Sequence, residues 1–276
     1  MLSENKIIAL YCIVDDMLKN LHHREDVRVK VSDSEIITTA MVSVLYFGGH
    51  WDNARCFMKL KGYSPCMLDK SRFCRRLHRV SDLLMSMFYQ MGQHIKNMAG
   101  AADYVMDSFP VAACENIRIK RSRILKGKAW HGRQSSMARY FYGVRVQVLT
   151  YKGIPVEFCL VPGRENDSQA LGKLPLQVAP ESCIYMDAGY TDYRAEDLML
   201  QEELIRLMIG RKANSTRKDE PHIRYLKERM RKNIETCFSE LKAKMLRKVH
   251  AVTQQGFLIK VALFVIAFAF AKVTPN

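Results

Sequence analysis

Apolar side chains recur at helical intervals through the first hundred residues. The clearest case begins at Ser32, which has capping-box spacing to Glu35, and it ends at the glycine pair 48–49. Between these two signals, apolar residues three and four positions apart predict one amphipathic helix. Similar spacing predicts further helices at 4–20, about 51–60, 71–79 and 82–97. We therefore expect residues 1–99 to form an all-helical domain.

Near residue 100 the pattern changes to short apolar runs, which are typical of strands. The apolar residues 104–106 lead directly into Asp107, and those at 183–186 lead into Asp187. We expect the first strand to end at its acid, because Pro110 follows and has no N–H to donate to a ladder. Both acids are thus predicted at the carboxyl ends of strands.

The remaining pattern predicts an α/β order. Residues that alternate between apolar and polar on both sides of 151–153 predict a hairpin. A helix is expected at about 193–202, a strand at about 204–210 and a long helix at about 222–248. We therefore expect residues 100–276 to form an α/β domain.

Charge is the unusual part of the composition. The 276 residues include 43 Lys and Arg against 28 Asp and Glu, a net charge of +15. This excess favours a polyanionic partner, with nucleic acid ahead of an acidic membrane surface. The run Val261–Ala271 is shorter than the ~20 residues that span a bilayer, so it predicts a buried helix and no membrane partner.

Targeting and cysteine patterns favour a cytoplasmic protein. The apolar run at 7–14 is followed by Asp15 and Asp16, where a signal peptide needs small residues. The eight cysteines include no CxxC pair. Neither a zinc knuckle nor a redox motif is indicated, and reduced thiols are the preferred interpretation.

Basic residues form three groups that are candidates for DNA contact. The acid-free segment 118–133 interleaves cations that can clamp phosphates with aromatic side chains that can stack on bases. The arginines within 71–80 share one helix face, as on a recognition helix in the major groove. Solvated loops and a solvated helix face are the competing interpretations. The candidate contacts are Arg118, Lys120, Arg121, Arg123, Lys126, Lys128, Trp130, His131 and Arg133; Arg72, Arg75, Arg76 and Arg79; and Arg211 and Lys212.

Acidic residues are the candidates for chemistry. Open α/β sheets place ligand-binding groups at the carboxyl ends of strands, where Asp107 and Asp187 are predicted, although a single such Asp is more often a turn former. Glu235 lies on the long helix, four residues after Arg231. It can point to the sheet ends or form a solvated pair with Arg231 worth about 0.2–0.5 kcal/mol. Asp167 is interpreted as the N-cap of a short helix that reaches Leu174, and it is left outside the acidic set.

The segments that contain Asp107, Asp187 and Glu235 resemble the DDE transposases of bacterial insertion sequences, particularly the insertion-sequence 982 family. The last segment has the spacing R-x3-E-x6-K, which matches most of the Tyr-Arg-Glu-Lys signature of related transposases. Glu228 stands where that signature has its tyrosine. The resemblance covers most of residues 100–272.

This resemblance implies a ribonuclease-H-like mixed sheet flanked by helices, with Asp107, Asp187 and Glu235 as a catalytic and metal-binding triad. The implied cofactor is Mg²⁺, or Mn²⁺ in its place, because two hard cations can activate the attacking oxygen and stabilise the leaving one. The implied reaction hydrolyses a phosphodiester at the element's ends, and the freed 3′-hydroxyl then attacks target DNA. Arg231 and Lys242 are implied phosphate contacts near the metals.

The implied partners are double-stranded DNA, as element ends and as target, and a second copy of the chain in a synaptic dimer. The implied location is the bacterial cytoplasm, at the nucleoid. Two alternatives stay open. One is a non-catalytic, sequence-specific DNA-binding regulator, and the other is a ribonuclease-H-like nuclease that cuts without strand transfer.

Overall fold

The structure is a computed structural model that describes residues 4–134, 138–244 and 249–274. Within the long helix, the side chains of Asn233, Ile234, Glu235, Cys237, Lys242 and Lys244 lie outside this description. The chain divides into two compact units. One contains Met1–Gln90, Leu241–Arg247 and Gln255–Asn276, and the other contains Met91–Glu240 and Lys248–Gln254. The division into domains 1–99 and 100–276 stays a prediction.

The first unit is helical, as the spacing of apolar residues predicts. Ser32 caps α2 with the expected capping box, since the Glu35 N–H donates to Ser32 Oγ at 3.1 Å and the Ser32 N–H donates to Glu35 Oε2 at 2.7 Å. Gly48, at φ 55°, ends this helix in the left-handed conformation. The predicted helices are confirmed as α1 Glu4–Asn20, α2 Asp33–Phe47, α3 Trp51–Leu60, α4 Lys70–Arg79 and α5 Ser81–Ala99, the last of which continues into the second unit.

The C-terminal helix α9, Gln254–Val273, belongs mostly to the first unit. Its 20 residues and a mean hydropathy of 2.2 would suffice to cross a membrane by length and composition. In the structure 72% of its most apolar 18-residue window is buried. The side chains of Phe257, Phe264 and Phe268, for example, are buried. This confirms the predicted buried helix. Where Lys260 lies over the Trp51 ring at 4.5 Å, burial lowers the lysine pKa.

The second unit is built on a mixed sheet. Its described strands are β1 Asp103–Cys114, β2 His131–Gln134, β3 Arg139–Tyr151, β4 Ile154–Pro162, β5 Cys183–Met186 and β6 Arg206–Ile209. They lie in the order β2-β3-β1-β5-β6, and β4 also pairs with β3. β1 is antiparallel to β3 and parallel to β5. With α6 Asp167–Leu171, α7 Tyr193–Glu202 and α8 Pro221–Lys244, this architecture is consistent with a ribonuclease-H-like fold.

The strand β1 does not end at its acid, so that prediction is wrong. β1 continues through Asp107 to Cys114 and pairs with β3 along this length, with Pro110 opposite Arg145. Its register with β5 ends where Met106 lies opposite Met186. Among the described strands, the second half of β1 therefore has a neighbour on one side only, and such an edge tolerates a proline.

The predicted hairpin is confirmed. β3 and β4 are joined by Lys152 at φ 48° and Gly153 at φ 79°. Two consecutive residues of positive φ match the right-handed twist of the flanking strands. The hairpin brings the long strand β3 beside β1, where its side chains contribute to the candidate site.

Candidate active site

The two predicted aspartates lie side by side. Because β1 and β5 run parallel with Met106 opposite Met186, the residues that follow this pair lie next to each other: Asp107 within β1, and Asp187 directly after β5. Asp107 Oδ1 accepts a hydrogen bond from the Ser108 N–H at 2.7 Å. Asp187 Oδ1 accepts one from the N–H of the residue that follows it, at 2.6 Å, as the cap of a 3-10 turn.

The helix α8 packs against the face of β1 that carries Asp107. Side chains alternate along a strand, so Asp107 and Phe109 project from the same face. The buried rings of Phe109 and Phe238 meet edge to face, with centroids 6.1 Å apart. Phe238 lies on α8, so this contact fixes the helix beside the first aspartate.

A second contact ties α8 to the other aspartate. Arg231 Nη1 lies 3.5 Å from Asp187 Oδ1, and the two side chains are 59% and 47% exposed. Glu235 lies on the same helix between Arg231 and Phe238, four residues after the first and three before the second. The side chains of Glu235 and Lys242, both predicted as site residues, lie outside the described residues.

Asp167 has a different local role from the one its position suggests. The N-cap of α6 is Asn166, whose N–H donates a hydrogen bond to Gln169 Oε1 at 3.2 Å as part of a capping box. Asp167 is the first helical residue, and α6 ends at Leu171, before the predicted Leu174. The capping interpretation of Asp167 is therefore wrong, because the preceding asparagine serves as the cap.

The carboxylate of Asp167 instead accepts hydrogen bonds from two strands. Its Oδ1 accepts from Ser108 Oγ at 2.6 Å, from Gln147 Nε2 at 3.1 Å and from Arg145 Nη1 at 3.5 Å. Tyr190 is fully buried and donates its hydroxyl hydrogen to Gln147 Oε1. Burial, and then the negative charges of Asp167 and Asp107, raise the pKa of Tyr190 well above its usual value.

The basic segment 118–133 lies largely in solvent. Arg118, Lys120 and Arg121 belong to the 3-10 helix Asn116–Arg121, and a second 3-10 turn leads into β2. Trp130 is half-buried and donates its indole N–H to the Lys126 carbonyl at 3.1 Å. The exposed predicted contacts are Arg118, Lys120, Arg121, Arg123, Lys126, Lys128, His131 and Arg133.

The arginine face of α4 is divided by one internal contact. Arg72, Arg75 and Arg79 are exposed. Arg76 instead donates from Nε to Asp33 Oδ1 at 3.1 Å, and its guanidinium also lies 3.6 Å from Glu25 Oε2. Three arginines therefore present an exposed basic surface, while the fourth joins α4 to α2.

The third basic group is divided in the same way. Arg211 donates from Nη1 to Glu196 Oε1 at 2.7 Å and lies 3.7 Å from Asp219. Lys212 is exposed. The ion pairs of Arg211 hold the segment after β6 against α7.

The mixed sheet, with Asp107 on β1 and Asp187 directly after β5, is consistent with a ribonuclease-H-like enzyme that acts on polynucleotides. Residues 98–253, more than half of the chain, match the family described as Transposase DDE domain. The chain belongs to this family. It is therefore a DDE transposase at the level of the domain. This membership implies DNA binding and an enzyme of the polynucleotidyl transferase or endonuclease type. Such enzymes generally use divalent metal ions. Searches of curated proteins and of solved structures gave no match.

Proposed function

We propose that this protein transposes a bacterial insertion sequence, of the insertion-sequence 982 type, by cleaving phosphodiesters at the element's ends and joining the freed 3′-hydroxyls to target DNA. The observation that carries the proposal is that Asp107 and Asp187 each follow directly after the last paired residues, Met106 and Met186, of the parallel strands β1 and β5. In a protein with a transposase DDE domain, such a pair supplies two of the three carboxylates that the reaction needs.

Glu235 is proposed as the third carboxylate. Helix positions three and four residues apart share a face, so Glu235 lies on the face of α8 that carries Arg231 and Phe238. Arg231 contacts Asp187, and Phe238 contacts the neighbour of Asp107 along one face of β1. These two contacts support a position of Glu235 next to both aspartates.

The donor set fits Mg²⁺, with Mn²⁺ as a substitute. Both ions prefer oxygen ligands, and Mg²⁺ retains waters and uses phosphate oxygens, so a few carboxylates suffice. Asp107, Asp187 and Glu235 would hold a pair of these ions, which supply activation of the attacking oxygen and stabilisation of the leaving one. The backbone N–H groups that follow each aspartate orient its carboxylate through the hydrogen bonds to Oδ1.

Arg231 is proposed to have two partners in succession. Without DNA its guanidinium lies against Asp187 and offsets part of the negative charge at the site. An exposed arginine can exchange such a weak pair for a phosphate, to which it donates two hydrogen bonds. Arg231 would then hold the DNA strand beside the carboxylates, and Lys242 is proposed to act farther along the same helix.

The exposed basic surfaces are proposed to bind DNA. In the segment 118–133, Arg118, Arg121 and Arg123 line a groove of about 540 Å³ whose apolar wall includes Val252. Guanidinium groups in a groove suit a phosphate backbone. The exposed arginines of α4 are proposed to contact a second stretch of duplex. We also propose a dimer in the synaptic complex and a location in the bacterial cytoplasm, at the nucleoid.

The proposal is tested by cleavage of DNA that contains the ends of the element. Wild-type protein is expected to cut at the ends when Mg²⁺ or Mn²⁺ is present. Asp107→Asn, Asp187→Asn and Glu235→Gln are expected to bind the same DNA with little change and to lose cleavage. The matched control is Glu228→Gln, which removes an exposed carboxylate that pairs with Arg224 on the same helix and should leave metal-dependent cutting in place. Undiminished cleavage by any of the three variants would refute that residue's role.

A further inference from the structure

Asp167 lies on the opposite face of the sheet from the carboxylate of Asp107. Alternation along β1 places Ser108 on the face opposite Asp107. Gln147 is the β3 partner of Ser108, and directly paired residues project from the same face. Since Asp167 accepts hydrogen bonds from both side chains, it contacts the sheet from behind the proposed catalytic face.

From this position Asp167 reaches the neighbours of both aspartates. On β1 it binds Ser108, the residue directly after Asp107. Beyond β5 it packs against Gly189, where an added Cβ would lie 3.1 Å from Asp167 Oδ2. Gly189 is two residues after Asp187, in the 3-10 turn that Asp187 caps.

A buried polar bridge makes a second connection to the same turn. Tyr190, the last residue of this 3-10 turn, donates to Gln147, and Gln147 donates to Asp167. Both Gln147 and Tyr190 are fully buried. Because a buried polar group that loses its partner costs about 1–3 kcal/mol, such a bridge resists small displacements of the turn.

We propose, resting on the proposed transposase function, that Asp167 is a positioning residue that fixes the proposed metal-binding carboxylates of Asp107 and Asp187 relative to each other. It acts through Ser108 on β1 and through Gly189 and Tyr190 in the turn that follows β5. It is not itself a metal ligand in this arrangement. Its Oδ1 already accepts from Ser108, Gln147 and Arg145, on the far side of the sheet from Asp107.

This role explains two local features that the catalytic proposal leaves aside. The first is a charged residue, Arg145, that is largely buried and pairs with Asp167 at 3.5 Å. The second is the glycine at position 189, because any larger residue there would press on the Asp167 carboxylate. Together these features hold Asp167 Oδ1 against β1 and β3, and Asp167 Oδ2 against the turn.

The test uses the full chain and the variants Asp167→Ala, Asp167→Asn and Gly189→Ala. Asp197→Ala is the control, because Asp197 is exposed on α7 and forms its bidentate pair with Arg217, away from Asp167 in the sequence. The first readout is backbone amide exchange by mass spectrometry in peptides that cover 104–110 and 186–191. We expect Asp167→Ala to speed exchange in both peptides, Gly189→Ala to speed it in the second, and neither to change exchange in 4–20.

The second readout is Mn²⁺ binding, measured by electron paramagnetic resonance without DNA. Loss of residues that orient metal ligands typically weakens metal binding about 10–100-fold, and we expect a loss in that range for Asp167→Ala. Asp167→Asn keeps an oxygen for Ser108 and should lose less. The unchanged exchange expected in 4–20 separates positioning from a general loss of folding, in which all peptides would exchange faster.

The outcomes separate this inference from the proposed function. If Asp167→Ala leaves exchange in both peptides at the wild-type rate, the positioning role is refuted whatever the enzyme does. If exchange rises but Mn²⁺ binding matches the wild type, Asp167 stabilises these two backbone segments without orienting the metal ligands, and the inference is likewise overturned. If the wild type itself binds no Mn²⁺ and cuts no DNA while exchange responds as expected, the proposed function fails and the link from Asp167 to metal ligation fails with it.

Discussion

A buried ion pair joins α5 to β4 in the second unit and gives a prediction with a defined magnitude. Lys96 and Glu157 are 2% and 6% exposed, and the Lys96 ammonium donates to Glu157 Oε1. Glu157 also accepts hydrogen bonds from the N–H groups of Leu176 and Gln177, at 3.0 and 3.1 Å. The pair therefore anchors the chain segment that follows α6.

The perturbation is Lys96→Met, which keeps most of the apolar stem and removes the ammonium. The Glu157 carboxylate would then remain buried with two backbone N–H groups and no counter-charge. Removing one partner of a buried pair costs about 3–5 kcal/mol. At about 2–4 °C per kcal/mol for a unit of this size, the Tm should fall by about 6–20 °C.

The assay is thermal unfolding followed by circular dichroism, with two comparison variants. Lys173→Met removes an exposed partner of Glu165 and should cost no more than about 1 kcal/mol. The double variant Lys96→Met with Glu157→Gln should recover part of the loss, because the remaining buried group is neutral. A Lys96→Met protein that melts within about 2 °C of the wild type would refute the claim that the buried charge depends on its partner.

Three further predictions address conformation, titration and DNA binding. Gly143→Ala should destabilise the protein far more than Gly172→Ala. A Cβ at Gly143 would lie 2.0 Å from a backbone oxygen of β1, whereas a Cβ at Gly172 would meet nothing within 4 Å. Equal Tm values for the two variants would contradict this prediction. A hydrogen bond with a serine hydroxyl lowers the pKa of Tyr193 to about 8, so ultraviolet titration should show one phenolate forming near that pH, and Tyr193→Phe should abolish it. Because this pKa is depressed in the folded state, the stabilisation is present above the unfolded pKa and is lost as the pH falls through about 8. Replacing the exposed α4 arginines by alanine should weaken DNA binding and make its salt dependence shallower, by about 0.9 for each phosphate that the protein no longer neutralises, whereas Lys59→Ala on α3 should not. That variant combines Arg72→Ala, Arg75→Ala and Arg79→Ala.

Local sequence signals predict the local structure well. The capping box at Ser32 and the glycine at position 48 delimit α2, and both signals act within a few residues of the helix ends. The hairpin follows from alternation on both sides of 152–153. The acid after β5 is likewise where the apolar run ends. In each case the determining interactions lie between neighbours in sequence.

The errors concern contacts between residues far apart in the chain. Pro110 would end a central strand, but the second half of β1 has one paired neighbour and tolerates it. Asp167 is an acceptable cap by sequence, and only the packing of α6 against β1 and β3 shows its contact with Ser108. Glu157 has the position of a solvent-facing residue in an alternating strand, yet Lys96, 61 residues earlier, meets it in the interior.

The same limit applies to the basic residues. Spacing alone puts Arg72, Arg75, Arg76 and Arg79 on one helix face, and it gives no sign that one of them is engaged. Arg76 pairs with Asp33, which is 43 residues away in the chain. Helical spacing therefore identifies a basic face correctly but cannot separate the arginines available for DNA from those that hold the helix in place.

The most direct test of the central claim is a coupled cleavage and joining assay on DNA that carries the ends of the element. Wild-type protein with Mg²⁺ is expected to cut at the ends and to join the 3′-ends to a separate target duplex, and pre-cut ends should be joined as well. Asp107→Asn should bind these substrates and do neither step. Cutting without joining by the wild type would identify a nuclease, and joining by Asp107→Asn would contradict the assignment of the active site to the paired aspartates.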